Sequence, residues 1–371
     1  MNSITRRLCR FAPTFALACA VIATSAPASA AAPRGPFDAL QTRLADASLR
    51  APGHVALEVK DLATGFSTSV NATNSMPAAS TIKIPVMVEV FRQLALEKFD
   101  LNTVMEVEAR DRDWGWGDLV DAPIGTQRTV TQLLWLMITD SDNTAANMLI
   151  RLVGRTHINA TMTRLGLRHT RLGDSIRSSG DIRSLRTSPR DMVTLLASLA
   201  RERLIDAWSS RAMISILAGQ HHNGLIPQPL PPGLEIAHKT GTLHDTLNDV
   251  GIVYLHGEPY ILAVMTTHLP SLGLGRRFIR HVSRLAYDSL AHLERWREDI
   301  GLPDFAPDPL VRDAAPLPPD LRMWNAAPGD HTPAAPGVPD PSAVAPATDP
   351  LAAPATLPAP DASPAPDGGG S

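Results

Sequence analysis

Along residues 36 to 300 the apolar positions follow two rhythms, one of about 3.6 residues and one of two. Phe37, Leu40, Leu44 and Leu49 recur at helical spacing and predict an amphipathic helix from Pro36 to Arg50. Val55, Leu57 and Val59 then alternate, and a turn at Asp61 to Gly65 leads into Phe66 to Val70, the pattern of a β-hairpin. The run Ile84, Val86, Val88, Val90, Phe91, Leu94 predicts a buried helix. Pro85 is tolerable there because it lies in the first turn, where a missing N–H costs little.

A strongly apolar helix follows over Thr129 to Ile138, breaks at Thr139-Asp140-Ser141, and restarts near Asn143 to end at Gly154, a C-cap signal. Ser188, Pro189 and Asp191 punctuate the start of another helix with apolar face Met192, Leu195, Leu196 and Leu199, and one more is expected over Asp206 to Ala218. After a proline-rich bend (Pro227 to Pro232) the period returns to strands: Leu234 to Thr242, Leu247 to Leu255 and Tyr260 to Thr267. With the early hairpin these make one antiparallel sheet of about five strands, a usual size. The last helix, Leu274 to Glu298, carries Phe278, Ile279, Val282, Leu285, Ala286 and Leu290 on one face, enough to cover the sheet.

The ends read differently. Arg6, Arg7 and Arg10, an apolar run from Phe11 to Ala23 and the small-residue site Ala28-Ser29-Ala30 form a secretory signal over residues 1–30, with an apolar run too short to span a bilayer. Thr5-Arg6-Arg7 also fits the start of a twin-arginine signal, although the rest of that motif is poor. Both cysteines, Cys9 and Cys19, fall inside this segment, so cleavage after Ala30 leaves no thiol for a disulfide, a nucleophile or a metal site. From about Asp304 to Ser371 proline, alanine and aspartate dominate, a composition that cannot bury enough surface to offset its chain entropy and predicts a disordered tail. A net charge of −3 excludes little, and no basic patch with interleaved aromatics argues for nucleic acid. The expected product is a soluble periplasmic or secreted monomer with no stable membrane insertion.

Candidate chemistry begins at Ser80-Thr81-Ile82-Lys83. On a helix, positions three apart share a face, so the Lys83 amine can reach the Ser80 oxygen: a nucleophile beside a base, at a helix start where free N–H groups point at developing negative charge. Alone the pair means little, since Ser-x-x-Lys arises about once by chance in a chain of this length. Ser141-Asp142-Asn143 and Lys239-Thr240-Gly241 then follow at domain-scale separations, and each triplet has a chance expectation of only about 5–10%.

In this order the three motifs resemble the active-site serine penicillin-recognising enzymes, most closely the class A β-lactamase branch. The likeness extends to Ser141 through Asn147, to Arg164-Leu165-Gly166-Leu167, to Thr187 through Met192 and to His238 through Thr242, and it spans residues 36 to 300. It implies an α/β fold: a five-stranded antiparallel sheet covered by helices, with an inserted all-α lobe. The α/β lobe would take about residues 36–72 and 219–300, and the α lobe about 73–218, within a hydrolase domain of 31–303.

It also implies roles. Ser80 attacks a carbonyl, Lys83 accepts the proton, Ser141 relays it to the leaving nitrogen, and Asn143 holds the substrate amide. Lys239, Thr240, Gly241 and Thr242 line the site for a substrate carboxylate, and the backbone N–H groups of Ser80 and Thr242 form the oxyanion hole. An aromatic from the loop at residues 110–126, Trp116 or Trp114, would border the cleft, while Asp142 and Asn147 brace the structure. No cofactor is implied. Gln220-His221-His222-Asn223 is not expected to bind metal, because adjacent histidines diverge.

One stretch departs from the resemblance. Between Leu172 and Thr187 the class A enzymes carry a loop glutamate that positions the deacylating water. The loop here, Gly173 to Arg186, has no glutamate and is a few residues short, leaving Asp174 or Asp181 as substitutes on shorter side chains. Acylation keeps its parts, and hydrolysis of the acyl-enzyme loses its usual base. Three readings remain open: a serine hydrolase that opens β-lactams with slow deacylation, a D-Ala-D-Ala carboxypeptidase-like enzyme acting on peptidoglycan stem peptides, and a penicillin-binding sensor that acylates and stops.

Overall fold

The computed structural model describes residues 36–177, 184–255 and 258–291. The expected signal segment, Asp181, the turn residues His256 and Gly257, the end of the last helix and the tail from Asp304 lie outside the described residues.

The chain opens with helix α1 (Pro36–Leu49), which buries Phe37, Leu40 and Leu44 but leaves Leu49, counted above in its apolar stripe, 85% exposed. Strands β1 (His54–Asp61) and β2 (Ser67–Val70) form the expected hairpin, with Leu57 opposite Val70. A short strand β3 (Met76–Pro77) leads into a 3-10 turn, Ala79–Ile82, and only then into α2 (Lys83–Leu94). Ten of the twelve α2 residues are buried, so this helix is surrounded on every side and its polar members Lys83 and Glu89 must be partnered within the protein. Glu89 is: it accepts from Arg92, Gln93 and Thr161.

Strands β4 (Val104–Glu106) and β5 (Gln127–Thr129) pair across the long loop that carries the tryptophans. Helix α3 (Val130–Thr139) starts from a capping box in which Thr129 and Gln132 satisfy each other's backbone N–H groups. Helix α4 (Asn143–Val153) ends at Gly154, whose φ of 85° suits a residue without a Cβ. Helix α5 (Arg155–Arg164) had no clear sequence signal, because only Ile158, Thr161 and Met162 are buried on it. The short strands β6 (Arg171–Leu172) and β7 (Leu185–Thr187) flank the glutamate-free loop, and β7 also pairs with β3.

Helices α6 (Pro189–Ala200) and α7 (Ala207–Ala218) follow, each opened by a side-chain cap, the predicted Ser188 for α6 and Asp206 for α7. Strands β8 (Ile236–Leu243), β9 (Thr246–Leu255) and β10 (Glu258–Thr267) complete the sheet, and α8 (Leu272–Leu290) ends the described part.

The five-stranded sheet is antiparallel throughout, in the order β2-β1-β10-β9-β8. Strand alternation assigns its two faces. One carries Val55, Leu57, Val59, Leu262, Val264, Leu247, Val253 and Leu255, packed with Phe37, Leu40 and Leu44 of α1 and Phe278, Ile279 and Val282 of α8. The other, with Ala56 and Met265 against Met76, is covered by α6 and α7. A pair between Arg190 Nε of α6 and the buried Glu58 Oε2 of β1, 2.6 Å apart, ties helix to sheet on that side. The edge strand β8 therefore borders α7 and lies beside the 3-10 turn that holds Ser80.

Candidate active site

Ser80 sits in the 3-10 turn and not at the first residue of α2, which begins at Lys83 with no side-chain cap. Its predecessor Ala79 is held at φ 48°, the left-handed region that costs a residue with a Cβ on the order of 1 kcal/mol or more. Neighbours hold that backbone in place: Asn248 on β9 donates to the carbonyls of Pro77 (2.8 Å) and Ala78 (3.2 Å). Gly241 on β8 lies so close that a Cβ there would stand 3.0 Å from the Ala78 oxygen and 3.1 Å from the Ser80 nitrogen. Strand β8 can approach the Ser80 peptide because position 241 has no side chain. Thr242, next along and exposed, completes this wall.

The hub of the site is Ser141. It too is left-handed, at φ 60°, in the break between α3 and α4. The break is braced on both sides, by the Asp142 N–H to the Leu136 carbonyl (3.0 Å) and by the Asp142 carboxylate, which accepts from Ala145 N (2.8 Å) as the α4 cap and from Leu119 N (2.7 Å). Two lysines converge on Ser141 Oγ, Lys83 Nζ at 3.2 Å and Lys239 Nζ at 3.0 Å. Lys83 also donates to the Ser141 carbonyl and, at 2.6 Å, to Asn143 Oδ1, while Lys239 donates to the Thr240 carbonyl at 3.1 Å.

The expected Lys83–Ser80 hydrogen bond is not formed. The amine turns to the Ser141 carbonyl and the Asn143 amide oxygen, stronger acceptors than a hydroxyl for a buried nitrogen. Asn143 in turn donates from Nδ2 to Asp113 Oδ2 at 2.7 Å, so the amide is held at both ends.

Both lysines are fully buried, and burial dominates their protonation. Lys83 is driven well below the ordinary lysine range, first by burial and next by the Lys239 charge. Lys239 is lowered to about 7, by burial, with Asp249 and Asp140 opposing the shift. Two ammonium groups around one hydroxyl repel each other, so the arrangement favours one neutral amine and one cation. The chain has only four lysines, Lys60, Lys83, Lys98 and Lys239, against thirty arginines. Two of the four stand here, and a buried lysine, unlike an arginine, can shed its proton.

The tryptophan loop borders this cluster through Trp116. The Trp116 carbonyl accepts from the Asn143 N–H at 3.0 Å, and its half-exposed ring meets the His222 ring edge-on at 6.2 Å. Trp114 instead lies under the Arg112 guanidinium, 5.1 Å from the ring centre, and is 71% exposed. The paired histidines do diverge: His221 Nδ1 lies 2.6 Å from Asp140 Oδ1, while His222 faces Trp116, its imidazole held below the usual range by burial and by Lys239.

On the opposite side, one turn along α4 from Asn143, Asn147 clips the glutamate-free loop. Its amide donates to the Ile176 carbonyl (2.9 Å) and accepts from the Ile176 N–H (2.8 Å). Ile176 is buried, and Asp174 is exposed, its carboxylate accepting from the Ser175 N–H. A groove of about 1030 Å³ behind β3, lined by His54, Ser75, Arg186 and His268 among others, includes none of the cluster residues.

Lys83, Ser141, Asn143 and Lys239 thus come together through their side chains, with the Thr240 carbonyl on Lys239 and Gly241 against the Ser80 backbone. Sequence reasoning missed Asp113, Asn223, Ile176, His238 and Asp249. Asp113 and Ile176 had no motif to mark them, and His238 was visible only as the residue before Lys239.

The Beta-lactamase enzyme family model matches residues 39–290. Among solved structures, the β-lactamase of Sphaerobacter thermophilus is 28% identical, covers 68% of this chain and 97% of its own, and superposes with a TM-score of 0.64. PBP-A is 29% identical over 68% of this chain and 96% of its own, TM-score 0.64. A leucine-to-glutamate variant of PBP-A, solved as an acyl-enzyme complex with penicillin G, is likewise 29% identical, with 70% and 98% coverage and a TM-score of 0.65.

Proposed function

The chain belongs to the Beta-lactamase enzyme family, and on that premise we propose that it is an exported serine hydrolase that takes β-lactams into an acyl-enzyme on Ser80 and releases them slowly. The observation that carries this reading is the convergence of Lys83 and Lys239 on the Ser141 hydroxyl, with β8 laid against the Ser80 peptide.

In the proposed cycle Lys83, neutral through burial, takes the Ser80 proton as its oxygen bonds to the lactam carbonyl carbon. The negative charge passes to the carbonyl oxygen, where the Ser80 and Thr242 N–H groups receive it. Ser141 hands its proton to the ring nitrogen as the C–N bond breaks and is reprotonated from the lysines that flank it. Asn143 and the rim formed by Trp116 position the substrate, and Lys239 with Thr240 binds its carboxylate.

Slow release follows from the loop. The segment clipped by Asn147 presents the backbone of a buried isoleucine, the one carboxylate among its described residues, Asp174, is exposed and taken up by the Ser175 N–H, and with no glutamate in the loop an attacking water lacks its usual base. The similarity to PBP-A supports a second reading, that the natural acyl donor is the D-Ala-D-Ala end of a peptidoglycan stem peptide and β-lactams are its mimics.

Intact-mass measurement after penicillin addition tests the proposal. An adduct on wild type, absent from Ser80→Ala and decaying over many minutes, supports it; no adduct sinks it. Release of D-alanine from a stem pentapeptide favours the second reading.

A further inference from the structure

Asp249 is not where packing alone would put a carboxylate. It lies on β9 in the row Leu247, Asp249, Gly251, Val253, Leu255, on the sheet face filled by the apolar side chains of α1 and α8, and it is fully buried. Its Oδ1 stands 2.9 Å from His238 Nδ1, and its Oδ2 accepts the Ile226 N–H at 2.9 Å. A carboxylate only accepts, so His238 carries its proton on Nδ1. The His238 Nε2 lies 2.9 Å from the Asn223 side-chain amide, which can meet it in either sense. Position 251 is open for this histidine: a Cβ there would stand 2.5 Å from the His238 Cβ.

Strand alternation separates this dyad from the site by the thickness of one strand. His238 points to the α8 face, and the next residue, Lys239, points to the other, where its amine reaches Ser141. The contacts of Lys239 are neutral oxygens, Ser141 Oγ and the Thr240 carbonyl. The charged and titratable groups around it come from four directions. Lys83 on α2 and His222 after α7 are themselves held towards their neutral forms, by burial first and by Lys239 next. Asp140 at the end of α3 favours it, but already shares its carboxylate with His221 and Thr139. Asp249, behind the strand with His238, is the stronger favourable charge.

We propose that Asp249, aimed by His238, is a positioning residue of this site: the counter-ion across the sheet that keeps Lys239 cationic for a substrate carboxylate. This deepens the reading of Lys239 as the carboxylate site and rests on it. Ionised Asp249 attracts the ammonium through the low-dielectric strand, offsetting part of the cost of burying it. The acyl donors served are those with a carboxylate beside the scissile amide.

The experiment reads Lys239 directly, without substrate. Protein labelled with ¹³C-lysine has four side-chain ε-carbon signals, one for each lysine of the chain, and loss of a signal in Lys239→Arg assigns the one of interest. Its titration midpoint should fall by about half a pH unit or more in Asp249→Asn relative to wild type. An unchanged midpoint in folded Asp249→Asn overturns the proposal.

If that variant does not fold, His238→Asn is read instead, since it keeps the carboxylate and removes the ring that aims it. A lowered midpoint supports the proposal, an unchanged one overturns it, and failure of both variants to fold overturns it by assigning the dyad to the scaffold. Labelling by a fluorescent penicillin separates the two readings. The alkaline fall-off of labelling should move down with the midpoint, whereas absence of labelling at every pH sinks the proposed function and leaves the midpoint result standing.

Discussion

Helix α4 presents two asparagines one turn apart, and they serve opposite ends of a reaction. Asn143 joins Lys83, Asp113 and the Trp116 backbone at the centre where acylation would occur; Asn147 clips the Ile176 backbone in the loop where deacylation would be driven. The scaffold is well made on both sides: each amide is buried and hydrogen-bonded through both its oxygen and its nitrogen. The chemistry is not. The first side gathers two lysines and a hydroxyl, and the second places a hydrocarbon side chain where its backbone is held. A fold can therefore keep the geometry of a two-step reaction while furnishing the groups for only one step, and covalent capture followed by slow release is the expected outcome.

The comparison breaks most severely at its first side. Ser80→Ala should abolish adduct formation, and Lys83→Met should slow it by roughly 10²–10⁴-fold, the usual weight of a general base. Stopped-flow labelling measures both, and near-normal acylation in Lys83→Met would remove that lysine from the mechanism. The second side can be sharpened by supplying what it lacks. Ile176→Glu puts a carboxylate on the clipped loop, and adduct decay should rise about tenfold or more while the acylation rate changes little; decay no faster than wild type would show that the loop holds no productive water.

A smaller effect is expected at the wall between β8 and Ser80. In Gly241→Ala the added methyl group meets the Ala78 carbonyl, the Ala79 methyl and the Ser80 amide. Shifting a packed backbone costs about 1–3 kcal/mol, so both melting temperature and acylation rate should fall. Wild-type values for both would mean that β8 yields freely.

The smallest effect is on stability against pH. Lys83 and Lys239 have folded pKa values depressed below the unfolded one, Lys239 to about 7, so between about pH 7 and the ordinary lysine value of about 10.4 the unfolded chain binds more protons. Stability contributed through these groups therefore rises with pH across that window. Lys239→Met, which has no charge to bury, should gain most over wild type at pH 6 and least near pH 10; equal melting differences at both would show that the lysine is not paying for its burial.

Much of this was legible in the order of residues. The capping signal at Ser188, the alternation of Val55, Leu57 and Val59 in β1 and the strand-like runs of β9 and β10 are local properties, decided within one turn or one strand, and the structure follows them. The motifs around Ser80, Ser141 and Lys239 were equally readable, since each is a short word, and their order carries the resemblance from which the roles of nucleophile, relay and cation were expected. Helix α5 escaped because its buried face is too narrow to leave a period.

What only the tertiary structure decided is the pairing of groups far apart in the chain. No spacing announces that Lys83 would leave Ser80 for Ser141 and Asn143, that Asn147 would hold Ile176, or that Asp249 would stand behind Lys239 on the other face of a strand. Sequence sets which side chains can carry charge. Burial decides which of them keep it, because removing water makes each amine's protonation depend on neighbours that only folding supplies.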